Sequence, residues 1–174
     1  MTSPRPVVVQ VSAGAGALRV GEASLADRAA ALVGPAPLAS GPADLPAPGP
    51  LLVLDVAHAL VPEAVRDAVL AAGAQRPDAV VVPVRDVTDT LKAVDGEGRV
   101  RATVDRAARR EVLTPVLLPE RARHLLEAEA FSPGWQARLC AAAAAQGVPV
   151  VGVPVPGHVV VVRDATDVRL AGGL

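Results

Sequence analysis

The chain has 174 residues, 51% of them hydrophobic and 20% charged, with 17 Lys plus Arg set against 18 Asp plus Glu. A formal charge of −1 provides no cationic field of the kind that draws proteins to nucleic-acid backbones or anionic membranes. One Phe, one Trp and no Tyr leave no aromatic platform for stacking single-stranded bases, so the core must be built from Val, Leu and Ala.

This length suits one domain with one core, residues 1–174. Cys140, the single cysteine, has no partner for an intramolecular disulfide and lies in an Ala-rich helical pattern, as a small core residue does in a reducing compartment. The opening MTSPRPVVVQVSAG carries too short an apolar run for a signal peptide. The Val-rich stretch 148–162 is broken by Pro149, Pro154, Pro156 and His158, which a membrane helix does not readily carry. A cytoplasmic location is therefore expected.

The β-branched run Val7 to Val11 predicts a strand buried on both faces, leading into the small-residue turn Ser12-Ala13-Gly14-Ala15-Gly16. Such a Gly14-x-Gly16 turn serves either as a tight structural turn or as a phosphate cradle. Helix is expected from Glu22 to Val33, with Ser24 as a start signal. Residues 34–50 are so dense in Pro and Gly that neither helix nor sheet is expected to propagate, giving a loop or linker.

Leu51 to Leu54 reads as another buried strand, ending at Asp55. A carboxylate at a strand's carboxyl end sits where open α/β sheets place their ligands, and it either contacts metal or ligand or caps the following turn. Pro62 opens a helix that runs to Gly73, and Ala79 to Val84 is a third buried strand. This β–α–β order requires parallel strands joined by a right-handed crossover. The fold class is α/β, a Rossmann-like three-layer sandwich with a parallel-rich mixed sheet.

Residues 87–116 predict a protruding β-hairpin arm. Asp89, Thr90 and Lys92 precede a turn made by Asp95, Gly96, Glu97 and Gly98, and the returning strand carries Thr103, Asp105, Arg106 and then Thr114-Pro115. Beyond the arm, Pro119 starts a helix, Ser132-Pro133 caps another that ends at Gly147, and Val148 to Val153 and Val159 to Val162 supply closing strands. Thr166-Asp167 caps a last helical turn. On their own, Thr90, Arg106 and Thr114 satisfy local backbone, and His58 reads as a hydrogen-bonded loop residue.

The order Asp-Thr-Leu-Lys, Thr-Val-Asp-Arg, Leu-Thr-Pro in this arm resembles the 2-C-methyl-D-erythritol 4-phosphate cytidylyltransferase family. Two further blocks are similar, Leu52 to Pro62 and Val159 to Val168, so the likeness runs from Leu51 onward. The resemblance implies CMP transfer from CTP to methylerythritol phosphate with Mg. Asp55 then holds the metal, and Thr90, Arg106 and Thr114 contact the acceptor, Arg106 from across a homodimer interface. Gly14, Gly16 and Arg19 are implied near the triphosphate.

The sequence departs from the family pattern at several cations and polar groups. His58 replaces an arginine, Val116 a glutamine and Val161 a lysine, Arg19 falls one residue late, and residues 34–50 occupy the place of the base-binding segment. These losses define a second reading, a catalytically inactive homologue that acts as a dimeric binding or regulatory partner. A dinucleotide-binding reductase fits less well, because no acidic residue ends a recognisable second strand.

Overall fold

In the computed structural model, which describes residues 7–11, 17–34, 38–39, 44–45, 48–129, 134–155 and 159–172, the run Val7–Val11 is strand β1. A two-residue hairpin follows, β2 (Arg19–Val20) against β3 (Ala23–Ser24), turning at Gly21 with φ 65°. Helix α1 (Leu25–Val33) starts where Ser24 closes a capping box. The Ser24 hydroxyl accepts the Asp27 N–H at 3.1 Å, and the Asp27 carboxylate accepts the Ser24 N–H at 3.1 Å. The helix thus begins at the predicted start signal and not at Glu22.

Within 34–50 the structure departs from expectation, since Leu38–Ala39 forms a short strand, β4, parallel to β1. Two residues free of Pro and Gly are enough to make one ladder step. Strand β5 (Leu51–Asp55) is buried at every position, and its side chains divide between the two faces of the sheet. Leu51 and Val53 join one apolar cluster, while Leu52 and Leu54 join two others on the opposite side. Each fully buried Leu or Val contributes roughly 1.5–3 kcal/mol relative to exposure.

Helix α2 (Glu63–Gln75) follows Pro62, which stands at the N-cap, one position earlier than expected, and leads to strand β6 (Val80–Asp86). A separate hairpin comes next, β7 (Leu91–Val94) with β8 (Val100–Val104), and then the short strands β9 (Arg110–Val112) and β10 (Val116–Leu118). A 3-10 turn at Glu120–Ala122 enters α3 (Arg123–Glu129). Helix α4 (Trp135–Ala145), strand β11 (Val150–Pro154) and α5 (Ala165–Ala171) complete the order.

The main sheet runs β11-β6-β10-β5-β1-β4, with β9 paired to β6. Helices α3 and α4 cover one face through Leu125, Leu126, Trp135 and Leu139. Helices α1 and α2 cover the other through Leu25, Leu32, Val65 and Val69. The three-layer α/β expectation holds at that level.

Three details are corrected. The sheet is not parallel-rich, because β10 runs antiparallel to both β5 and β6, and β9 antiparallel to β6, against parallel pairs β1–β4, β1–β5 and β11–β6. The crossover through α2 does join parallel strands, but β10 lies between them. Next, the hairpin is shorter than 87–116. It closes at Val104, while β9 and β10 return to the main sheet because Leu113 and Val116–Leu118 are apolar enough to be buried there. Finally, Val159 to Val162 forms no strand among the described residues and is held by the Val162 N–H to the Ala57 carbonyl at 2.8 Å. The predicted Ser132-Pro133 cap lies outside the described residues, and α4 starts after Gly134 at φ 77°.

Candidate functional site

Asp55 leaves β5 at its carboxyl end and turns immediately into the 3-10 turn Val56–His58, whose Ala57 N–H its Oδ1 accepts at 3.0 Å. It therefore caps a turn and faces a cleft at the same time. Its own N–H donates to Thr114 Oγ1 at 3.1 Å, and Trp135 Nε1 donates to Oδ2 at 3.4 Å. Thr114 is fully buried, and it follows β9 at the cis Thr114–Pro115 peptide. An unpaired buried N–H costs roughly 1–3 kcal/mol, so the threonine hydroxyl fixes the strand end that presents the carboxylate.

The cleft beside Asp55 has a volume of about 430 Å³ and is walled by His58, Arg110, Glu111, Gln136 and Arg163. His58 is 5% exposed and its Nδ1 has no hydrogen-bond partner among the described residues. Burial pushes its pKa down to about 4, the Asp55 charge opposes that shift, and the charges of Arg163 and Arg85 add to it. The ring is neutral at physiological pH. Arg85 pairs with Glu111 across the β6–β9 ladder at 2.7 Å and also donates to the Val159 carbonyl at 2.5 Å.

Of the residues singled out by sequence, Asp55 lines this cleft, and Thr114 lies buried behind it, holding the Asp55 N–H. Thr90 and Arg106 do not line it. Thr90 is exposed just before β7, and Arg106 is exposed beyond β8 with its guanidinium donating to the Thr88 carbonyl. Arg19 is exposed on β2, where its charge acts on Asp27, and it does not line the cleft either. Gly14 and Gly16 lie outside the described residues.

Sequence reasoning passed over Arg85, Glu111 and Arg163. The rule that singled out Asp55 also applies to Arg85, which ends the apolar run of β6 near its carboxyl end. Arg163 follows Val161 by two residues, and both line the cleft.

A mixed sheet with helices on both faces, carrying a buried carboxylate at a strand's carboxyl end beside a cleft, defines a Rossmann-like α/β protein with a cleft at the strand termini. The sequence model of the 2-C-methyl-D-erythritol 4-phosphate cytidylyltransferase family matches residues 47–167, and the chain belongs to that family. Among curated relatives it is similar to the cytidylyltransferase of that name from Saccharopolyspora erythraea, 48% identical over 66 residues, which is 37% of this chain and 29% of that protein. A bifunctional enzyme IspD/IspF from Rhodopseudomonas palustris is 46% identical over 66 residues, 16% of its length.

Among solved structures, the Thermus thermophilus cytidylyltransferase aligns over 97% of this chain and 98% of its own at 24% identity and TM-score 0.71. The Francisella tularensis enzyme aligns over 97% and 99% at 12% identity and TM-score 0.72. At those identities the likeness carries the fold.

Proposed function

We propose that this chain transfers a cytidylyl group from CTP to 2-C-methyl-D-erythritol 4-phosphate, releasing pyrophosphate. Family membership supports the reaction class, and one observation carries the reading to this site. Asp55 and Thr114, 59 positions apart and drawn from two separate blocks of family resemblance, meet at 3.1 Å beside an open cleft. In this reading Asp55 orients the reacting groups and Thr114 holds the strand end that presents it. Thr90 and Arg106 reach the acceptor from a second subunit, a role supported by their exposure at the base of the β7–β8 hairpin.

Mg fits this donor set as an ion brought by the triphosphate. Mg commonly binds through one or two carboxylates together with substrate phosphates. The Asp55 oxygens each take one protein N–H and keep further lone pairs for a cation. No cluster of three His, Cys, Asp or Glu exists among the described residues to hold a metal without substrate. When bound, the ion supplies positive charge that neutralises the phosphoryl oxygens.

An inactive relative that serves as a dimeric binding or regulatory partner is the second reading. It is favoured by His58, a buried neutral ring at the position where the family pattern has an arginine fork. Pyrophosphate release with CTP, methylerythritol phosphate and Mg distinguishes the two. Turnover in the wild type, lowered about a hundredfold or more by Asp55→Asn, is the expected result. Absence of turnover together with no heat of CTP binding establishes the inactive relative instead.

A further inference from the structure

A second arrangement is built on the β9 wall of the cleft. Glu111 projects from β9 between two guanidinium groups, with Oε2 2.7 Å from Arg85 Nε and Oε1 3.9 Å from an Arg163 nitrogen. Arg85 is three-quarters buried and already anchored to the Val159 carbonyl, so it cannot swing away from the site. Arg163 differs. Its backbone N–H is fixed by Asp167 at 2.8 Å, but its guanidinium is largely exposed and has only the loose approach to Glu111 among the described residues.

Three features therefore converge on one spot. A fixed guanidinium and an underused one flank the same carboxylate, and the buried Nδ1 of His58 lies nearby without a partner. Both arginine charges act on His58, which places all three groups within one electrostatic neighbourhood. Two guanidinium forks around an oxyanion form the standard recognition geometry for carboxylate or phosphate. Here a side chain of the protein itself occupies it.

We infer that Arg85 and Arg163 form a receptor for a phosphate-class oxyanion and that Glu111 fills it as an internal surrogate when no ligand is present. The chemistry selects phosphate over carboxylate. A free carboxylate brings the same single charge as Glu111 without the advantage of being tethered, whereas a phosphate dianion brings more charge and enough oxygens to span both arginines and the histidine. Asp55 opposes any anion in the cleft, and Arg110, another guanidinium on its wall, is engaged by Asp86 at 3.1 Å, so the receptor is assigned to Arg85 and Arg163. This inference rests on the reading of the cleft as a site for phosphorylated substrates, but it concerns anion binding and not turnover.

Calorimetric titration of the full chain with inorganic phosphate, pyrophosphate and acetate tests this at low ionic strength. Phosphate is expected to saturate and acetate not to. Glu111→Gln, which removes the surrogate's charge while keeping an acceptor for Arg85, should tighten phosphate binding by about tenfold, and Arg163→Ala should weaken it by a similar factor. Stronger binding of pyrophosphate than of phosphate, lost in Arg163→Ala, assigns the receptor to a triphosphate tail; the reverse preference assigns it to a phosphomonoester.

Both substituted side chains are partly or largely exposed, and matching urea midpoints establish that the variants remain folded. Unchanged or weaker phosphate binding in Glu111→Gln overturns the surrogate role, and no saturable phosphate binding to either protein overturns the receptor. Asp55→Asn, which removes the charge opposing an anion in the cleft, should bind phosphate at least as tightly as the wild type while losing transfer, which separates failure of this inference from failure of the proposed reaction.

Discussion

His58 shows how strongly one side chain can be governed by its surroundings. Folding favours its neutral form, since the buried ring ionises only near pH 4, against 6.5 for an ordinary histidine. An unfolded chain binds that proton first as pH falls, so the associated stability is complete above pH 6.5 and is lost as the pH drops toward 4. Urea denaturation should show the wild type losing roughly 2 kcal/mol more than His58→Gln between pH 7 and pH 5. Parallel losses in the two proteins would show that the ring is accessible to protons in the native state. Cys140 follows the same logic with the opposite charge type, burial alone raising its thiol pKa to about 11, which makes it a packing residue and not a nucleophile.

At the level of elements, the approach of α2 to the sheet depends on one missing methyl group. A Cβ built at Gly73 would lie 2.0 Å from Leu117 Cδ2, so the helix can seat against β10 only because that carbon is absent. Gly73→Ala is therefore expected to destabilise by about 1–3 kcal/mol, although alanine is the better helix former by about 1 kcal/mol. A urea midpoint at or above that of the wild type would mean that Leu117 can move aside at little cost.

The same contact explains part of what could be read from the sequence. Strands β1, β5 and β6 were legible because they carry continuous Val and Leu runs, and α1 because Ser24 is a start signal. β10 was not. Three apolar residues behind a Thr-Pro pair are too few to reveal a period, and what makes them a central strand is the space between β5 and β6, a tertiary fact. In the site, Asp55 was legible by its place at a strand end, while Glu111 and Arg163 lie on short or ladderless segments that no periodicity marks.

For the molecule as a whole, the β7–β8 hairpin is distinct from everything else. Among the described residues no other strand pairs with it, and its tip residues Val94 and Val100, opposite each other in the ladder, are about 60% exposed. A two-stranded hairpin alone in water is marginal, because it buries too little apolar surface to offset its ordering entropy. Amide hydrogen exchange of a dilute monomer should therefore be fast across Leu91 to Val104 and slow across Leu51 to Asp55 and Val116 to Leu118. Protection of the hairpin that increases with protein concentration would point to a second copy covering it. Protection at all concentrations would contradict the picture of an unsupported ribbon.

Lys92, whose ammonium donates to the Thr103 hydroxyl at 2.7 Å on this hairpin, is the single lysine of the sequence. An amine-directed dye or cross-linker thus finds one side-chain target, and it sits on the hairpin. A covalent bridge between two such ε-amines would report directly that the ribbons of two molecules lie side by side, with no mutation and no background from the sheet.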